Sequence, residues 1–117
     1  MNIFLIGFGG FFGAISRYYL NEFITKYIPS SFPIGILAVN IVGCFLIGYL
    51  LGGSLTSKDN LYYFAVIGFL GSFTTMSAFT YQTIELLNTN ILLACSYIML
   101  TIFLTILATY LGINFSK

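Results

Sequence analysis

Charged side chains are so sparse in this chain that the stretches between them decide its class. Arg17, Glu22, Lys26, Lys58, Asp59, Glu85 and Lys117 are the whole set. No charged side chain lies between Lys26 and Lys58, between Asp59 and Glu85, or between Glu85 and Lys117. Each gap is long enough to cross about 30 Å of hydrocarbon at 1.5 Å per residue. Hydrophobic residues make up 59% and charged residues 6%, where a soluble domain carries about 25% charged. The mean hydropathy is +1.01. An all-α integral membrane protein of the cell membrane is expected, with the lipid bilayer as its solvent and no nucleic-acid partner.

Four spans follow from the breaks in the apolar pattern, at about residues 2–26, 32–53, 61–87 and 91–114, forming a single membrane domain. Pro29, Ser30, Ser31 and Pro33 read as the first turn, since proline and serine stop one helix and start another. Ser54 to Asn60, with Lys58 and Asp59, reads as a surface hairpin, and Asn88-Thr89-Asn90 as a tight turn. The N-terminus lacks the basic region and small-residue site of a cleavable leader. Cys44 and Cys95 fall inside spans and read as small buried hydrophobes rather than a disulfide. The chain has no His, and its acids are too few for a metal or hydrolytic cluster. No enzymatic activity is expected.

With an even number of spans, the termini and Lys58 share one side while Lys26 and Arg17 lie toward the other. Lys and Arg near span ends set orientation, and here they nearly balance, so insertion either way up is expected. Gly9 with Gly13, and Gly48 with Gly52, have the small-residue spacing of close helix contacts. Four short helices leave little room both to pack and to enclose a route, which points to a second copy.

The third span is interrupted. Gly68-Phe69-Leu70-Gly71-Ser72-Phe73-Thr74-Thr75-Met76-Ser77-Ala78-Phe79 places two glycines and four hydroxyl residues at mid-depth. Non-helical backbone survives at that depth only inside protein or beside a wet cavity, and such breaks mark ion or substrate sites in transporters.

Several side chains could serve such a site, each with a structural reading beside the functional one. Asn40, mid-span, is either interhelical glue or an uncharged amide that donates to an anion. Arg17 either snorkels to the interface, contacts a carbonyl, or draws anions into a vestibule. Glu22 reads as a solvated or Arg-paired group near the same interface, and Glu85 as interfacial or part of a vestibule. Met76 and Phe79 share a helical face with Ser77 adjacent; they are core packing, or a ring edge and a polarizable thioether presented to an anion. Tyr97, Thr101, Thr105 and Thr109 form a hydroxyl stripe at intervals of four. Its threonines either bond back to the preceding turn or line a polar track.

Three segments together resemble the signature motifs of the CrcB/Fluc fluoride channel family: Gly9-Gly10-Phe11-Phe12-Gly13-Ala14-Ile15-Ser16-Arg17-Tyr18, Asn40-Ile41-Val42-Gly43-Cys44-Phe45-Leu46-Ile47-Gly48, and the interrupted stretch from Gly68 to Phe79. The resemblance covers essentially the whole chain. It implies a fluoride-selective channel that passively exports fluoride and lowers its cytoplasmic concentration. It further implies an antiparallel, dual-topology homodimer with two anion pathways. A central structural sodium ion would be held by the backbone carbonyls of Gly71 and Thr74. The implied anion pathway comprises Asn40, Met76, Ser77, Phe79, Tyr97, Thr101 and Thr105, with Arg17 in a vestibule or structural role. The chain departs from the family pattern at Met76, where a phenylalanine is usual, and at Ala78, where a threonine usually follows the serine. A small proton-coupled multidrug exporter is the competing reading, and it needs an embedded acid such as Glu22. A non-transporting assembly subunit is the third.

Overall fold

A computed structural model of the chain describes residues 2–28, 32–53 and 60–116. The turn expected at Pro29–Ser31, the hairpin charges Lys58 and Asp59, and Lys117 lie outside the described residues.

The described residues are helical almost throughout. Helix α1 runs Asn2–Tyr27 and α2 Ile34–Gly52. The third span opens with a π-helical segment, Tyr62–Leu70, continues into the single turn α3, Gly71–Phe73, and resumes after an interruption as α4, Met76–Thr89. Helix α5 runs Ile91–Ser116. Four helical stretches, the third taken as Tyr62–Thr89, are long and apolar enough to cross a membrane.

Asn88 and Thr89 belong to α4 rather than to a turn. The helix runs two residues past the expected end at 87, and the Thr89 hydroxyl donates to the Leu86 carbonyl at 3.2 Å. Asn90 alone breaks it, and its side-chain oxygen accepts from the amides of Leu92 and Leu93, capping α5.

Backbone-to-backbone contact holds the bundle together. In α1 only Gly9 and Gly13 are buried, while Phe4, Phe8, Phe11 and Phe12 point outward. A Cβ on Gly9 would strike the Phe64 carbonyl oxygen, and one on Gly68 would come within 2.7 Å of the Ile6 carbonyl oxygen. Helix α1 and the π-helical segment therefore meet main chain to main chain. The same holds for α2 and α5, where Gly48 lies against the Thr109 carbonyl and Gly112 against that of Phe45. Lipid tails remove the hydrophobic drive between helices, so close packing of this kind supplies much of the association energy. Both expected glycine pairs are used inside the subunit, for Gly52 also abuts Ile113 and Ser116 of α5.

Two apolar clusters flank the interrupted span. Val39, Leu70 and Phe73 form one. Leu37, Leu86, Ala94 and Tyr97 form the other, with Phe32 and Phe79 packed against it. Between them runs α2, which carries Asn40 into the middle of the bundle.

Candidate functional site around the break in the third span

The interruption falls at Thr74 and Thr75. Thr74 is extended (φ −78°, ψ 153°), and so is Thr75 (φ −146°, ψ 118°). Neither residue is Gly or Pro, so no backbone rule forbids a helix here. The extended conformation persists because its polar groups find other partners. Thr75 N–H donates to Asn40 Oδ1 at 2.8 Å, and Asn40 Nδ2 donates to the Thr75 carbonyl at 3.2 Å. The Thr75 hydroxyl accepts from Ala78 N–H at 3.2 Å, capping α4. The backbone amide and the hydroxyl of Thr74 both donate to the Leu70 carbonyl, closing the helix before the break.

The break interrupts the helical ladder over the carbonyls of residues 71–74, and the amides due to two of them are met by side chains instead. In an uninterrupted α-helix each N–H bonds the carbonyl four residues back, so Thr75 would bond Gly71 and Ala78 would bond Thr74. Those are the two amides diverted, one to Asn40 and one to the Thr75 side chain. Gly71 is exposed on the surface of the subunit, and a Cβ there would approach nothing closer than 3.7 Å. The carbonyls of Gly71 and Thr74 thus lose the amides that would bond them in a continuous helix, and main-chain oxygens of that kind suit a hard cation. Among the described residues no cluster of three His, Cys, Asp or Glu side chains competes for a metal.

Beside the break lies a groove of about 270 Å³, lined by Asn40, Cys44, Thr74, Thr75, Met76, Phe79, Thr101, Ile102 and Thr105. No charged side chain contributes to it. Met76 stands 71% exposed on its rim. Thr101, only 8% exposed, has a buried hydroxyl oxygen with no hydrogen-bond partner. The rest of the hydroxyl stripe is committed: Thr105 donates back to the Thr101 carbonyl, and Thr109 to the carbonyls of Thr105 and, across the helix interface, Cys44. The stripe is geometrically continuous, yet one hydroxyl proton in it is unclaimed.

Other expected site residues fall elsewhere. Ser77 is exposed, its oxygen 3.3 Å from that of Thr75. Tyr97 is fully buried between the rings of Phe32 and Phe79, and its hydroxyl donates to Gln82 Oε1 at 3.3 Å. Gln82 faces a second, wider cavity of about 470 Å³ that Asn21, Glu22, Thr25 and Glu85 also line. Arg17 is half-buried, lines neither space, and makes no hydrogen bond or ion pair with the other described residues. Sequence reasoning passed over three participants: Thr75, which receives Asn40; Cys44, one turn along α2 from Asn40 on the groove wall; and Gln82, which holds Tyr97. The spacing of Gln82 from Phe79, three residues on one helical face, was the available signal.

A broken span with an uncharged groove alongside it, in a chain with four helices long and apolar enough to cross a membrane, defines a multi-pass membrane protein. The chain belongs to the CrcB family: the model described as CrcB-like protein, Camphor Resistance (CrcB), matches residues 4–113. It is 40% identical to a protein from Flavobacterium psychrophilum named fluoride-specific ion channel FluC, over 98% of this chain and 96% of that one. A protein of the same name from Campylobacter fetus is 48% identical over 75% of this chain and 71% of its own. Fluoride-specific ion channel FluC 2 from Bacillus cereus is 38% identical over 97% and 96% respectively. With four helices long and apolar enough to cross a membrane, this places the protein in the plasma membrane as a multi-pass protein.

Proposed function

We propose that this protein is a fluoride channel that moves the ion passively out of the cell. The observation that carries the reading is the Thr101 hydroxyl, buried and unpartnered, on a groove shared with Asn40 and Phe79 and free of charge. Fluoride is small and tightly hydrated, so a narrow route must offer donors in place of water, yet release the ion again. Thr101 offers an O–H, Asn40 offers whatever donor capacity its bond to Thr75 leaves, and Phe79 can offer a positive ring edge. A fixed cation would hold the anion too long. Inside-negative potential favours outward anion flow by about 2.3 kcal/mol per 100 mV. Hydrogen fluoride that crosses the lipid and ionises in neutral cytoplasm leaves by this route without a pump.

The active unit on this reading is an antiparallel homodimer, the two copies inserted in opposite orientations. Exposed Gly71 and the open rim at Met76 are the surfaces a second copy would cover. A structural sodium ion fits the carbonyls of Gly71 and Thr74, paired with the same two from the partner. It would supply fixed positive charge at the subunit crossing and hold the two breaks together.

The proton-coupled exporter needs an acid in the route. Glu22 is exposed on the wide cavity and does not line the groove. Purified protein in sodium-loaded liposomes should release fluoride to an electrode at rates well above empty vesicles, and release equal to empty vesicles would overturn the proposal. Single-cysteine variants lacking Cys44 and Cys95, labelled from one side and cross-linked, should give pairs with only one labelled member. Uniform labelling of both members would exclude the antiparallel arrangement.

A further inference from the structure

The anion groove and the carbonyls at the break meet in one side chain. Asn40 lines the groove, and its oxygen takes the N–H that would otherwise bond the Gly71 carbonyl. The residues on either side of the interruption are good helix: the π-helical segment and α3 precede it, and α4 follows for fourteen residues. Nothing in the composition of Thr74-Thr75 stops the ladder from closing across them. In an apolar surrounding an extended peptide is retained only where both its polar groups are met. Asn40 meets both groups of Thr75, and among the described residues no other hydrogen bond ties α2 to the break.

We infer that Asn40 is the positioning residue of the cation site, keeping the Gly71 carbonyl available by occupying the Thr75 amide from the anion side. The inference rests on the reading of Gly71 and Thr74 as sodium ligands. It separates two functions in one amide. The side-chain oxygen shapes the cation site and touches no anion. The nitrogen holds the Thr75 carbonyl and faces the groove. Anion and cation sites are therefore joined through a single residue, Thr75, rather than through the bundle at large. A role as interhelical glue makes no such distinction between oxygen and nitrogen.

The test uses the full-length protein in detergent and follows how its thermal midpoint depends on sodium, with N-methylglucamine as the replacement cation. Wild type should show a saturable rise with sodium. Asn40→Asp keeps an acceptor for Thr75 N–H and loses the donor; its half-saturating sodium concentration should stay within threefold of wild type or fall, while fluoride flux in liposomes is lost. Asn40→Ala frees the Thr75 amide to return to Gly71, and its half-saturating sodium concentration should rise at least tenfold. An alanine variant with the wild-type sodium response overturns the inference. So does an aspartate variant that has lost the response, and that arm stands alone if the alanine variant does not fold. A wild type without any sodium response removes the sodium assignment itself, a failure readily told apart from the other two.

Discussion

Gly43 lies directly against the side chain of Thr74: a Cβ built on the glycine would strike Thr74 Cγ2 and come within 3.3 Å of the Phe73 ring. Helix α2 thus supports the break with a bare backbone one turn after it clamps the break with Asn40. Gly43→Ala should displace Thr74 and reduce fluoride flux at least tenfold with the protein still folded. Thr74→Ser removes the obstructing methyl but keeps the hydroxyl that bonds Leu70, so the double variant should recover much of the loss. Electrode-measured efflux from liposomes of the single and double variants checks this, and an absence of rescue would detach Gly43 from the break.

Thr101→Val replaces the unpartnered hydroxyl with a methyl of nearly the same shape. A buried hydroxyl without a partner costs roughly 1–3 kcal/mol to bury, so stability should hold or rise. Flux should fall at least tenfold, since the one unclaimed donor of the stripe is gone. Thr105→Val, whose hydroxyl already donates to the Thr101 carbonyl, should change flux less than threefold. Thermal melts and efflux measured side by side separate the two positions.

Tyr97→Phe keeps the ring between Phe32 and Phe79 and deletes only the bond to Gln82. The expected loss is about 1 kcal/mol, the usual net worth of such a bond. Gln82→Leu in the same background should cost little more, whereas additive losses would show that the two side chains do not depend on each other. Midpoints of thermal unfolding in detergent for the cycle of four proteins measure this.

Gly48→Val places a branched side chain against the Thr109 carbonyl and should cost about 1–3 kcal/mol or prevent folding, as overpacking of a tight contact does. Gly7, with nothing within 4 Å of its missing Cβ, is the matched control. Gly7→Ala should leave stability unchanged or raise it by up to about 1 kcal/mol through helix propensity. Size-exclusion profiles and melts of the two variants give the comparison.

Much of this architecture was legible in the chain because hydrophobic length and the polar interruption are local signals. Proline, serine and asparagine between the apolar runs marked where spans stop, and the glycine–hydroxyl run marked where the third one breaks. What was not legible depends on pairing across distance. That Asn40 spends its oxygen on Thr75, thirty-five residues away, is a property of packing that no spacing reveals. Periodicity placed Thr101, Thr105 and Thr109 on one face, but side-chain rotamers decide which hydroxyl turns back to the preceding carbonyl. The π-helical segment Tyr62–Leu70 was also invisible, because a uniformly apolar run reads the same at either helical period. Its wider turn, closed by Gly71 N–H donating to the Val66 carbonyl, leads straight into the break, a setting in which such segments recur at functional sites.

The groove contains no histidine, carboxylate or amine. Its walls therefore keep no count of protons, and acidifying the medium changes how much free halide reaches the mouth without altering the corridor behind it. Sensitivity to acid then belongs to the chemistry of the ion in water. On the proposed channel reading, the groove itself contributes no acid switch.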